Sequence, residues 1–230
     1  MEYKNLGHSG LKVSTVGLGC MNFHTMNDAA ESAAIVHKAL DLGVNLFDVA
    51  DVYGDRGKSE EYLGEALGAN RQAVIVATKF AGPMSDKRSD MRGGSRRYIM
   101  QAVEASLTRL NTDYIDLYQI HFYDKDTPVE ETLRALDDLV SQGKVRYYGC
   151  SNFNGWQITD AQWTARTDNL NGFISAQNRY SLLTREMEKD VVPVCEKFGL
   201  GILPYFPLES GMLTGKYKKG EDFPEGTRMN

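Results

Sequence analysis

This 230-residue sequence predicts an α/β fold, a (β/α)8 TIM barrel preceded by an N-terminal β-hairpin and incomplete at its C-terminal end. Three observations predict it. Apolar, strand-like runs end abruptly in polar side chains: NLF at Asp48, AVIVAT at Lys79, YIDLYQI at His121, VRYYGC at Ser151 and Asn152, FISA at Gln177 and GILP at Tyr205. A helix-patterned segment lies between consecutive stops. The stops are spaced by roughly 25–40 residues, the size of one βα repeat. Parallel strands of such a barrel converge with their C-terminal ends on one face, where barrel chemistry is carried.

The elements follow in order. EYKNLGHSGLKVSTVGLG reads as a hairpin turning at His8, Ser9 and Gly10, followed by a strand ending near Gly19. Asp28 with Glu31 three residues later marks a capping box. The helix they open has Ile35, Val36, Ala39, Leu40 and Leu42 as its apolar side and Gly43 as its stop. A second strand reaches Asp48, and a helix around Glu60–Leu67 stops at Gly68. The third strand, Ala73–Thr78, is apolar throughout, as a strand buried on both faces should be. A helix from near Ser95 carries Ile99, Val103, Leu107 and Leu110. After the fourth strand, Thr127 reads as an N-cap, Pro128 as the first helical residue and Glu130 as the capping-box partner. Leu133, Leu136, Leu139 and Val140 stripe that helix up to Gly143. A fifth strand, a helix around Trp156–Ala165, a sixth strand, a helix ending at Gly199 and a seventh strand follow. Past Leu213 the chain is charged and loop-like, with no eighth strand or final helix. Seven strands cannot close a barrel of the usual eight. The expectation is a single domain over residues 1–230 whose natural form continues for at least another βα unit.

Composition narrows the function classes. With 42% hydrophobic and 25% charged residues the chain can build one sizeable core. A net charge of −5 and a pI near 5.4 argue against nucleic-acid or membrane-surface partners, which need a positive field. The basic cluster Lys216, Lys218 and Lys219 is local. Cys20, Cys150 and Cys195 are odd in number and far apart, which points to reduced thiols and no metal site. No signal peptide or membrane-length apolar run is visible, so a cytoplasmic protein is expected.

The strand-end residues carry the candidate chemistry. Asp48 closes its strand, and Tyr53 follows five residues later on the loop over the barrel mouth. Lys79 ends the neighbouring strand, where its stem brings an ammonium near both. A phenol with an ordinary pKa of about 10 becomes a usable proton donor or acceptor against a cation, whose field favours phenolate. Asp48 would hold Lys79 in place and charged, and His121 could hydrogen-bond a substrate oxygen. Taken singly, each residue has an ordinary use in packing, solvation or capping; their joint appearance on three successive strands does not. Ser151, Asn152 and Gln177 could grip a planar carboxamide such as that of nicotinamide, or merely start turns. Tyr205 offers a flat face for a ring, and the glycine-rich segment to Lys216 offers N–H groups and a cation for phosphates. GLGCMN lacks the third glycine of a Rossmann fingerprint, and no P-loop is present.

The segments LFDVADVYG, IVATKF, DYIDLYQIH, GKVRYYGCSNF, AQNRYSLL and YFPLESGMLTGKY resemble those of the aldo-keto reductases, NAD(P)H-dependent (β/α)8 oxidoreductases. Local features are closest to the bacterial branch that also resembles voltage-gated potassium-channel β subunits. The resemblance runs from EYKNLG to at least Tyr217. It implies a catalytic tetrad of Asp48, Tyr53, Lys79 and His121, with Tyr53 as general acid in reduction and base in oxidation. It further implies carboxamide contacts from Ser151, Asn152 and Gln177, stacking of Tyr205 on the nicotinamide, and Cys20 with Met21 under its ribose. Phe206, Pro207, Leu208, Glu209, Ser210 and Lys216 match the pyrophosphate-binding stretch. Asp48 counts among the cofactor contacts as well. The implied cofactor is NADPH, with NADH left open, and Lys216 and Arg228 are the candidate remnants of 2′-phosphate recognition. The implied reaction is reduction of small-molecule aldehydes or ketones; oligomeric state stays open. Two alternatives accompany this reading: a non-turnover, NADPH-binding redox-sensing subunit, and a Schiff-base lyase using Lys79, which Asp48 disfavours by keeping the lysine protonated.

Overall fold

The computed structural model describes residues 1–218 and 220–226. Lys219 and Arg228, both named from the sequence, lie outside the described residues. Strands β1 (Tyr3–Asn5) and β2 (Lys12–Ser14) form the antiparallel hairpin. β3 (Leu18–Gly19), β4 (Leu46–Asp48), β5 (Ile75–Phe80), β6 (Ile115–Ile120), β7 (Val145–Ser151), β8 (Ser175–Arg179) and β9 (Gly201–Tyr205) pair in sequence order, every pair parallel. Helices α1 (Ala29–Asp41), α2 (Tyr53–Leu67), α3 (Arg96–Arg109), α4 (Val129–Ser141), α5 (Gly155–Thr167) and α6 (Val191–Phe198) make the connections. The result is a curled, seven-stranded part of a (β/α)8 barrel.

Two apolar layers follow from the period-two alternation of strand side chains. Phe47, Val76, Tyr118, Ile120 and Tyr148 face outward and pack against the helices. Leu46, Ala77 and Leu117 face inward and meet Leu6, Leu11 and Val13 of the hairpin region. The hairpin therefore plugs the bottom of the sheet. Two residues further along the same inward rows come Asp48, Lys79 and Gln119. The apolar plug is the floor on which the polar strand ends stand.

Local chemistry explains most boundaries. Asp28 caps α1, accepting from Glu31 N at 2.9 Å, while Glu31 Oε2 accepts from Asp28 N at 3.1 Å, closing the expected capping box. Of that helix's apolar side, Val36 and Ala39 are buried, but Ile35 and Leu42 face solvent. β5 runs two residues later than expected, so Lys79 is inside the strand rather than at its end. β8 likewise extends past Gln177 to Arg179. Thr127 does not cap α4: its hydroxyl donates to Asp124 Oδ2, and Pro128 is the N-cap without a side-chain bond. α2 starts earlier than the expected Glu60, because Gly54 to Gly57 form a left-handed turn that leads into the regular helix.

Candidate active site

Asp48 is the hub of the polar cluster. Its Oδ2 accepts from Lys79 Nζ at 2.6 Å, and its Oδ1 accepts from Gln177 Nε2 at 2.8 Å and Gln119 Nε2 at 3.2 Å. Lys79 is fully buried and also donates to the Val49 carbonyl at 3.0 Å and to Tyr53 Oη at 3.5 Å. Burial works to lower the lysine's pKa, but Asp48 and then Tyr53 reverse this and hold it above its ordinary value. At neutral pH Lys79 is therefore an ammonium.

Tyr53 stands at the start of α2, half-buried, with the His121 ring edge-on at 5.7 Å between centroids. The Lys79 field favours phenolate here, but burial opposes it. Burial raises the Tyr53 pKa by more than the Lys79 ammonium lowers it, so the side chain rests as neutral phenol, a proton donor. His121 follows β6, its backbone N–H bound to the Phe80 carbonyl and its ring stacked on Phe122 at 4.3 Å. Burial first, and Lys79 second, push the imidazole down to about 3, so it is neutral at working pH. Its Nδ1 is buried with no hydrogen-bond partner among the described residues.

Asn152 organises the next strand ends from a left-handed φ of 59°. Its Nδ2 donates to the His121 carbonyl at 3.0 Å and to Ser151 Oγ at 3.1 Å, and its Oδ1 accepts from Tyr205 Oη at 2.7 Å. Ser151 and Gln177 are buried beside it. A cleft of about 500 Å³ opens next to Tyr53, walled by Met21, Asn22, Gly54, Phe206 and Ser210 among others. It joins the loop after β3 to the loop after β9, the two ends of the sheet.

The remaining sequence-named residues are spread around this cleft. Cys20 is fully buried in the core cluster, and burial, then Asp48, push its thiol up. Phe206, Glu209 and Ser210 have φ of 52°, 45° and 54°, a tight curl that leaves Pro207 and Leu208 exposed. The Glu209 carboxylate is committed to Arg179 at 2.5 Å and Ser181 at 2.7 Å, and hydrogen bonds from these and Thr184 hold it down to about 2. Its side chain ties the β8 and β9 loops together. Lys216 is exposed, its Nζ 5.1 Å from the Tyr217 ring centroid.

Gln119 was not named from the sequence. The signal was present: it lies two residues after the inward Leu117 on β6, hence on the same inward row, and pairs in register with Lys79.

A profile of the "Aldo/keto reductase family" matches residues 15–230. The chain belongs to the aldo/keto reductase family. An uncharacterized oxidoreductase of Bacillus subtilis (YrpG) is 41% identical over 237 residues, spanning 99% of this chain and 72% of that protein. A probable voltage-gated potassium channel subunit beta from Oryza sativa subsp. japonica is 41% identical over 238 residues, 100% of this chain and 70% of the relative. Versiconal hemiacetal acetate reductase from Aspergillus parasiticus is 38% identical over 252 residues, 99% of this chain and 73% of the relative. By family, then, this aldo/keto reductase chain is an oxidoreductase, of a family that uses nicotinamide cofactors. Among its described residues no helix is long and apolar enough to cross a membrane. None of their His, Cys, Asp and Glu groups is placed to hold a metal.

Proposed function

We propose that this chain reduces aldehydes or ketones to alcohols with NADPH, Tyr53 giving the proton that completes the reduction. The observation that carries the reading is the buried Asp48–Lys79 pair at 2.6 Å with its ammonium 3.5 Å from the Tyr53 hydroxyl. Tyr53 enters as the neutral acid. As its proton moves to the carbonyl oxygen, the phenolate that develops lies against Lys79, whose charge Asp48 secures. Neutral His121 offers a hydrogen bond to the same oxygen without competing as an acid. Gln119 and Gln177 hold the far oxygen of Asp48 and so orient its near one toward Lys79.

The side chains at the ends of β7 to β9 fit a nicotinamide in kind. The bonds shown use one acceptor of Ser151 and one donor of Gln177; a hydroxyl and an amide carry further donors and acceptors for a planar carboxamide. The bound cofactor would supply the hydride. Phe206, Ser210 and Met21 would line its path along the cleft, and the exposed Lys216 would offer a cation to its phosphates.

The test is steady-state oxidation of NADPH by a panel of aldehydes, in the parent chain and in Tyr53→Phe. Loss of the proton donor should lower kcat by about 10²–10⁴-fold, with cofactor binding kept. A Tyr53→Phe variant as active as the parent would remove Tyr53 from the role. The equal similarity to a potassium-channel β subunit favours one second reading, a redox-sensing subunit. Oxidation of a single bound NADPH equivalent without sustained turnover would select it.

A further inference from the structure

The turn after Tyr53 is left-handed through four residues: Gly54, Asp55, Arg56 and Gly57 have φ of 62°, 56°, 63° and 126°. Two of the four carry side chains, and that backbone persists only where its surroundings over-determine it. Arg109, at the end of α3, covers the turn. A Cβ on Gly57 would lie 2.5 Å from Arg109 Cδ and 2.8 Å from its Nε, so glycine is required for this approach. The guanidinium is itself fixed, Nε donating to Glu60 Oε2 at 2.7 Å and Nη2 to Ser106 Oγ at 3.2 Å.

Glu60 has no exposed surface, and its second oxygen accepts from Thr78 Oγ1 at 2.5 Å. Thr78 immediately precedes Lys79 on β5. One carboxylate therefore joins the turn that carries Tyr53, the helix that carries Arg109 and the strand that carries Lys79. A buried ion pair is seldom the most stable filling for a core, and setting a register is the best-attested use of one.

We propose that Glu60 and Arg109 are positioning residues that set the Tyr53 hydroxyl against Lys79 Nζ, fixing the turn on one side and the strand on the other. The assignment deepens the proposed role of Tyr53 and rests on it. Tyr53 itself is faced by Lys79, Asp48, His121 and Tyr205, and the Glu60–Arg109 pair by Asp51, Tyr98 and Tyr118. None of these latter three bonds the turn through a side chain.

Another buried pair, Arg71–Asp116 at 2.8 Å, supplies the control. It ties the segment before β5 to the start of β6, at the opposite end of the strands from Tyr53. The experiment uses the full chain with ¹³C-labelled tyrosine, the Tyr53 ring resonance being identified by its loss in Tyr53→Phe. Arg109→Lys keeps the charge but loses the planar fork; Arg71→Lys is the matched change elsewhere. Arg109→Lys should move the Tyr53 resonance, which senses the Lys79 charge and the His121 ring, and Arg71→Lys should leave it in place. If Arg109→Lys does not fold, Glu60→Gln is read in its stead. With turnover, kcat should fall about 10-fold or more while KM and the NADPH dissociation constant stay near parent values, the pattern of a lost transition-state interaction. A Tyr53 resonance unmoved, or moved equally by Arg71→Lys, would overturn the assignment. A parent chain that never oxidises NADPH, yet shows the selective resonance shift, would overturn the reductase reading and leave the positioning assignment standing.

Discussion

Lys79→Met is the perturbation whose cost can be worked from distances. Methionine replaces the lysine stem with one of similar length and removes only the ammonium. Asp48 is not orphaned by this change, because Gln177 and Gln119 still donate to its Oδ1 at 2.8 and 3.2 Å. The fold should therefore survive. The ammonium is 3.5 Å from the phenol oxygen. At an effective dielectric of about 20 a full phenolate there is stabilised by about 5 kcal/mol. A transition state with the proton about half transferred feels about half of that, which corresponds to roughly a fifty-fold loss in kcat. The assay is NADPH oxidation at saturating aldehyde, repeated in deuterium oxide. Because proton donation becomes the harder step, the solvent isotope effect on kcat should increase. A Lys79→Met protein that binds NADPH and turns over within about three-fold of the parent would refute the electrostatic reasoning.

Two further outcomes follow from groups beside and below the site. Burial and the Lys79 charge take His121 from 6.5 down to about 3, so the unfolded chain binds a proton through this window that the folded chain does not. The contribution is intact above about pH 6.5 and is lost as pH falls toward 3, up to about 4–5 kcal/mol in all; His121→Asn should flatten the urea midpoint between about pH 7 and pH 4, and an unaltered slope would contradict the burial argument. Gly64 lets α2 approach the end of α3, since a Cβ there would lie 2.6 Å from the Leu110 carbonyl oxygen and 2.7 Å from its carbon. Gly64→Ala should cost about 1–3 kcal/mol, seen as a melting temperature lower by roughly 3–10 °C, and an unchanged melting curve would mean the helices yield at no cost.

The sheet was legible because each strand obeys two rules at once. Its apolar run fixes where it lies, and its first polar side chain fixes where it reaches the barrel mouth. Asp48, His121 and Tyr205 follow that logic directly. Lys79 and Gln177 obeyed it only in part: both sit inside their strands, since a side chain satisfied by an inward partner does not have to end a strand. Gln119 escaped for the same reason, looking like one polar residue in a buried run until its register with Lys79 is known. The left-handed turn of Gly54 to Gly57 was not read from the sequence: its glycines and Asp55 tolerate positive φ, but nothing local demands it of Arg56. Around them, Arg109, some fifty residues along the chain, packs over Gly57, and Arg56 pairs with Asp86. Thr127 shows the converse, an N-cap signal overridden by a competing local bond to Asp124 three residues earlier.

One measurement bears most directly on the whole account: a single turnover of NADPH carrying deuterium at the transferring position, mixed with an aromatic aldehyde and either the parent chain or Tyr53→Phe. The geometry around Tyr53 predicts an alcohol bearing one deuterium on its former carbonyl carbon from the parent, formed at least about a hundred-fold more slowly by the variant. Unlabelled alcohol, or equal rates from both proteins, would mean that the phenol set between Lys79 and His121 does not donate the proton of a hydride transfer.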